Sequence, residues 1–307
     1  MKKFLNLFNR LIVLWVIIFG IIAFYHPEIF VVFKNSINIF FSLAMFGIGL
    51  VLKEDDYLNI LKNPGHVLFG TLCQFTIMPA LAIITSNIFN LPLNWKIGLI
   101  LTGAAPGAMT SNVISYLSKA DTAYSISLTT LSTLLCPILT PFITFLLVHT
   151  HVPVNFLSMF LTIIFVVVIP LLIGFILRKT ISEYIDKLGE IPSTISVIAI
   201  VFITSYVIAA NKQNLSYATL IIILAVAFHN AMGMLLGYLS GYLINLNHIK
   251  RKTLSIEIGM QNAGLGVILA LKHFGEEVAV PAAIFTVWCI LTASLLVYFW
   301  KIVEKRI

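Results

Sequence analysis

Ser255-Ile256-Glu257-Ile258-Gly259-Met260-Gln261-Asn262-Ala263-Gly264-Leu265-Gly266 sets a carboxylate, two carboxamides and three glycines inside an apolar run. Of the twelve acidic residues in the chain, Glu257 alone stands in the middle of such a run. A charge at bilayer depth costs about 2.5–3.5 kcal/mol on insertion scales. A chain that keeps one there uses it. The glycines and carboxamides around it read as a membrane helix that is interrupted on purpose.

The composition supports that setting. Hydrophobic residues make up 60% of the 307 positions and charged residues 10%, against about 25% charged in a soluble domain. Mean hydropathy is +1.03. The fold class is therefore an all-α polytopic membrane protein. An isolated apolar segment in lipid must satisfy its own backbone, which forces helix. The net charge of +7 does not point to nucleic acid, because the Lys and Arg fall in short loops between apolar runs. Cys73, Cys136 and Cys289 all lie inside apolar runs without metal-ligand spacing and read as small buried hydrophobes. Met1-Lys2-Lys3 with the run that follows resembles a signal peptide. No small-x-small cleavage site comes after it, so it reads as the first span.

Charges cut the sequence into ten apolar segments, at 11–25, 37–52, 66–88, 96–117, 122–148, 154–177, 191–210, 214–245, 254–271 and 279–300. With the N-terminus inside, fifteen of the nineteen Lys and Arg fall on the cytoplasmic side. This bias predicts a multi-pass protein with both termini in the cytoplasm, and the expected membrane is the inner (plasma) membrane. Ten spans divide into five and five, residues 1–150 and 151–307. An odd-numbered half repeated once must lie upside down relative to the first. The fourth segment carries Gly103-Ala104-Ala105-Pro106-Gly107-Ala108-Met109-Thr110-Ser111-Asn112, a second polar interruption at the position that corresponds to the opening stretch. Gln74 in the third segment answers His229-Asn230 in the eighth.

The interruptions carry the chemistry. Unwound carbonyls and half-helix C-termini can hold a cation, and half-helix N-termini attract an anion. Ser111, Asn112, Gln261 and Asn262 add neutral oxygens and Glu257 adds one negative charge. Ser125 and Thr129, four apart on one helix face, can complete an oxygen cage. Hard oxygen donors with a single carboxylate suit an alkali cation, whereas zinc or copper calls for imidazole or thiolate. Other readings stand beside this one. Small residues also serve helix contact, Glu257 can be a structural acid, Gln74 can be a plain interhelical bond, and His229 reads as a hydrogen-bonded packing residue. No H-E-x-x-H and no G-x-S-x-G occurs, and no second acid lies at membrane depth, which weighs against an intramembrane enzyme.

Met45-Phe46-Gly47-Ile48-Gly49-Leu50, Gln74-Phe75 with Met78-Pro79, Pro106-Gly107 with Ser111-Asn112-Val113, Ser132-Thr133-Leu134 with Pro137 and Thr140-Pro141, and Glu257 to Asn262, in that order, resemble the bile acid:sodium symporter family along nearly the whole chain. The resemblance implies ten transmembrane helices in two inverted five-helix repeats. It implies a panel domain (helices 1, 2, 6, 7) beside a core domain (helices 3–5 and 8–10) in which broken helices 4 and 9 cross. It implies two sodium ions and no other cofactor. The first sodium site would be Ser111, Asn112, Ser125, Thr129 and Glu257. The second would be Gln74, Glu257, Ile258, Met260 and Gln261. An organic anion, bile-acid-like or a small carboxylate such as pantoate, would lie near Met109, Thr110 and Asn262. Relatives often place a His-Asn pair after the tryptophan of helix 10; here Trp288 is followed by Cys289 and Ile290, which enter the expected anion site in its place. The expected function is sodium-coupled symport by alternating access. The alternative is proton coupling with Glu257 as carrier. A receptor that binds without moving its ligand is a further rival.

Overall fold

A computed structural model describes residues 2–52 and 64–304. Among the described residues every regular element is helical, apart from a single isolated bridge. The main helices are α1 (Lys2–Arg10), α2 (Ile12–Tyr25), α3 (Ile37–Gly49), α4 (Pro64–Ile88), α5 (Leu93–Gly103), α6 (Thr110–Leu117) and α7 (Thr122–Val148). They continue as α8 (Phe156–Thr180), α9 (Ser182–Leu188), α10 (Ile191–Ala210), α11 (Lys212–Leu243), α12 (His248–Gly259), α13 (Ala263–His273) and α14 (Val280–Glu304).

Six helical stretches are long and apolar enough to cross a bilayer: Pro64–Ile88, Thr122–Val148, Phe156–Thr180, Ile191–Ala210, Leu220–Leu243 and Glu277–Trp300. Shorter apolar helices cover Leu14–Tyr25 and Ala263–His273. The chain is a multi-pass membrane protein. At about 1.5 Å per residue, the 25 residues of α8 exceed a hydrocarbon core of about 30 Å. Side chains such as Ile84, Phe165 and Leu295 stay exposed on the outer faces, as a lipid-facing surface requires.

Element ends differ from the apolar runs where polar chemistry starts a helix. The ninth apolar segment starts at 254, but α12 begins at His248. Asn247 caps it by accepting from the Lys250 amide at 2.9 Å, so a charged first turn precedes the apolar part. Lys252 in that turn is buried and donates to the Ser118 carbonyl at 3.1 Å. Inside α8, Ile164–Val168 form a π-helical turn that hydropathy cannot reveal.

Two packed groups form. In one, α3 lies against α8 and α10, and α10 against α2. Phe202 holds that group together, with Phe19, Phe30, Phe33 and Phe40 around it at centroid distances of 5.5–6.3 Å. Where α3 crosses α8 the backbones touch. A Cβ at Gly49 would strike the Leu171 carbonyl, and one at Gly174 would strike the Phe46 carbonyl. In the other group α4 packs on α5, α7 and α11, α11 on α12 and α14, and α13 on α5 and α14. Gly233, Gly237 and Gly241 form a row on α11 that seats α12. A Cβ at Gly237 would meet the Leu254 carbonyl at 2.6 Å. Lipid offers no hydrophobic drive for helix pairing, so close backbone packing of this kind does the holding.

The fourth and ninth segments are each broken. Residues 104–109 separate α5 from α6, and 260–262 separate α12 from α13. The two breaks meet face to face. Gly107 and Gln261 pair as an antiparallel bridge, Asn262 N donates to Pro106 O at 2.8 Å, and Ala108 N donates to Met260 O at 2.9 Å. Each break thus satisfies part of the backbone that the other leaves unpaired.

Candidate functional site

Glu257 lies in the last turn of α12, 3% exposed, at the edge of this bridge. Three hydroxyls converge on its carboxylate. Ser111 Oγ donates to Oε1 at 2.5 Å, Ser125 Oγ donates to the same oxygen, and Thr129 Oγ1 donates to Oε2 at 2.9 Å. Ser111 comes from the first turn of α6, just past its break; Ser125 and Thr129 come from one face of α7, a turn apart. The α7 face is set by Asp121, which caps that helix by accepting from Tyr124 N at 3.0 Å.

Asn112 joins the group as an acceptor. Its Oδ1 is 2.9 Å from Ser125 Oγ and 3.2 Å from Thr129 Oγ1. Each hydroxyl has one proton and two lone pairs. Ser125 faces both Glu257 and Asn112, and Thr129 faces Glu257, Asn112 and the Ser125 carbonyl. Three hydroxyl protons cannot meet all of these acceptors at once. The cage is rich in lone pairs and short of positive charge. Among the described residues Glu257 makes no ion pair; the ion pairs are His26–Glu28, Lys34–Glu276 and Arg178–Asp186, all away from it. A buried carboxylate without a cation is costly.

The second group of sequence-chosen residues is also brought together. Gln74 Nε2 donates to Gln261 Oε1 at 2.7 Å and to the Ala105 carbonyl at 3.3 Å. Gln261 Nε2 donates to the Ile258 carbonyl at 3.0 Å, and Met260 O accepts from Ala108 N. Gln74 Oε1 is buried and, among the described residues, has no hydrogen-bond partner. That oxygen faces a need that the chain does not meet by itself.

The residues chosen for an anion divide. Met109 and Thr110 stand at the start of α6, half-buried, and Asn262 caps α13 by accepting from Leu265 N at 3.3 Å. All three sit at the half-helix N-termini beside the break. Cys289 is buried in α14 with Sγ 3.6 Å from the Thr286 carbonyl of its own helix. Ile290 packs against the cluster of Ile12, Val16, Val197 and Val201.

His229 is fully buried, with Nε2 3.0 Å from the Met78 carbonyl and its ring against Phe285. Asn230 reaches the break itself: Nδ2 donates to the Gly259 carbonyl at 2.7 Å, and Oδ1 accepts from Thr292 Oγ1 at 2.6 Å. In the sequence Asn230 stands out only as a carboxamide answering Gln74, and nothing there marks Thr292.

Residues 38–218 match the family model described as the Sodium Bile acid symporter family. The uncharacterized sodium-dependent transporter YocS of Bacillus subtilis (strain 168) is 39% identical over 95% of this chain and 92% of its own length. The probable sodium/metabolite cotransporter BASS1, chloroplastic, of Arabidopsis thaliana is 31% identical over 85% of this chain and 65% of its own. Its namesake from Oryza sativa subsp. japonica is 33% identical over 85% and 64%. This chain thus spans a little under two thirds of the two plant proteins.

Proposed function

This chain belongs to the Sodium Bile acid symporter family, and from that premise we propose that it couples inward sodium movement to the import of an organic anion. The observation that carries the reading is the lone-pair excess of the Glu257 cage, which a small hard cation relieves. Ser111, Asn112, Ser125, Thr129 and Glu257 hold the first sodium. Gln74, Ile258, Met260 and Gln261, with Glu257, hold a second, and the unpartnered Gln74 Oε1 supports that assignment. The organic anion, bile-acid-like or a small carboxylate such as pantoate, binds by Met109, Thr110 and Asn262, with Cys289 and Ile290 on the α14 side. The N-termini of α6 and α13 favour negative charge there. The named activities of the relatives, sodium-dependent transport and sodium/metabolite cotransport, agree with this direction.

The same reading gives the architecture. Subtracting 156 from Asn230, Gly259 and Asn262 lands on Gln74, Gly103 and Pro106, so the helix before each break ends at the same step. We take residues 1–150 and 151–307 as two inverted five-helix repeats with ten crossings, α5–α6 and α12–α13 each counting as one. The panel is α2, α3, α8 and α10; the core is α4–α7 with α11–α14. The core rocks against the panel to expose the site to each side in turn. The charge bias supports both termini in the cytoplasm, and we take the membrane to be the inner (plasma) membrane.

Two sodium ions with a monoanion move one net charge, which gains about 2.3 kcal/mol per 100 mV of membrane potential. The test is uptake of candidate anions into proteoliposomes with and without an inward sodium gradient. Uptake of equal size without sodium overturns the reading. A proton could neutralise Glu257 as well, since the carboxylate has no ion-pair partner among the described residues. Replacing sodium with choline at fixed pH separates the two: uptake that persists belongs to the proton.

A further inference from the structure

The chain breaks α12 at Gly259, and the break leaves a carbonyl whose ordinary helical partner is gone. In an unbroken helix Gly259 O would accept from the amide of Ala263; that amide bonds to the Gln261 carbonyl instead. Gly259 O lies two residues past Glu257 and two before Gln261, so its position sets where both side chains point. Its partner is Asn230 Nδ2 on α11, at 2.7 Å. Asn230 is 0% exposed, and its Oδ1 is held by Thr292 Oγ1 of α14 at 2.6 Å.

We propose that Asn230 and Thr292 are a positioning pair that fixes the broken end of α12, and hence the cation cage, and links cage occupancy to α14. The inference rests on the reading of that cage as a sodium site. Three features carry it. First, Asn230 answers Gln74 at the 156-residue step, and Gln74 also reaches a backbone carbonyl of its own half's break, donating to Ala105 O two residues past the end of α5. In each half, then, a carboxamide from the neighbouring span donates to a carbonyl at the break. Second, the Thr292 proton has competing claims. Its Oγ1 also lies 2.9 Å from the Trp288 carbonyl and 3.2 Å from that of Cys289. One proton serves one acceptor well, so the hydroxyl has two alternatives, back-bonding within α14 or bonding to Asn230. Third, the opposite side of α14 carries Val287 and Ile290, which pack on Ile12, Val16, Val197 and Val201 of α2 and α10. A shift of the Gly259 carbonyl on cation binding therefore reaches, through two hydrogen bonds, the helix that rests on the other packed group.

The test uses the full chain purified in detergent, and it reads the sodium concentration that gives half of the sodium-dependent rise in Tm, with choline chloride as the control salt. Thr292→Val keeps shape and loses the hydroxyl; Thr292→Ser restores it. Thr292→Val is expected to raise the half-saturating sodium concentration about fivefold or more, with Tm in choline nearly unchanged, and Thr292→Ser is expected to return it to within about twofold of the unaltered chain. Asn230→Ala combined with Thr292→Val is expected to be no worse than Asn230→Ala alone, as one linked pair requires. Sodium half-saturation that is the same in Thr292→Val and the unaltered chain overturns the pair while leaving the cage. A chain whose Tm does not respond to sodium at all overturns the cage reading and the pair with it.

Discussion

Glu257 concentrates the chemistry in one side chain. Glu257→Gln keeps the volume and removes the charge that three hydroxyls and Asn112 surround. Losing one charge-assisted contact costs about 1.5–3 kcal/mol, so sodium affinity should fall about ten- to a hundredfold; sodium-dependent uptake by the variant checks it. Ser125→Ala removes one hydroxyl and should raise half-saturating sodium about fivefold, for a loss of about 1 kcal/mol. At this scale the sequence was unusually readable for the cage and poorly readable for its supports. A carboxylate at membrane depth is so costly that it announces itself, and the four-residue spacing of Ser125 and Thr129 puts both on its side. Thr292 had no such mark. Ser and Thr in membrane helices routinely bond their own backbone, as Thr71, Thr144 and Thr162 do here, and only the position of Asn230 singles Thr292 out.

Among the helices, the close pairing of α11 with α12 decides whether the cage can form. Gly237→Ala forces a methyl to within 2.6 Å of the Leu254 carbonyl, where only backbone movement can relieve it. The expected cost is about 1–3 kcal/mol of stability, read as a lower Tm in detergent and as weaker sodium binding, since α12 carries Glu257. Apolar runs located the helices because lipid demands it, and the Gly- and Pro-rich interruptions located both breaks. The early start of α12 was hidden, because His248 to Lys252 look like loop by hydropathy while Asn247 caps them into a helix. The meeting of the two breaks was beyond composition altogether. It depends on backbone bonds between residues more than 150 positions apart.

Over the whole molecule, the two packed groups are fastened at one end. Lys34 Nζ lies 2.8 Å from Glu276 Oε1, Tyr206 donates to the same oxygen at 2.9 Å, Asn211 Nδ2 donates to the Glu276 carbonyl at 3.0 Å, and Thr162 meets His273 at 3.0 Å. The Lys34 hydrogen bond holds the Glu276 carboxyl below the usual carboxylate range. A lowered folded-state pKa stabilises above the unfolded value, near 4.3 for Glu, and that stabilisation is lost as pH falls through the folded one. The Tm difference between the unaltered chain and Glu276→Gln should therefore be present at neutral pH and fade as pH falls below the unfolded value of about 4.3. It should be small, since Lys34 is 65% and Glu276 36% exposed. The larger effect of Glu276→Gln should be on rate, because on the proposed topology this fastening closes the external side; faster sodium-driven uptake checks it. At the crossing of α3 and α8, by contrast, nothing is left to loosen. Packed helices slide past one another by letting side chains change rotamer, and small sliding of that kind is how many domains shear. At Gly49 and Gly174 carbonyl and Cα stand where side chains would be, so the joint has no cushion to deform. It behaves as a weld: α3 and α8 turn as one piece, and on the proposed reading the movement falls where the core slides on the panel.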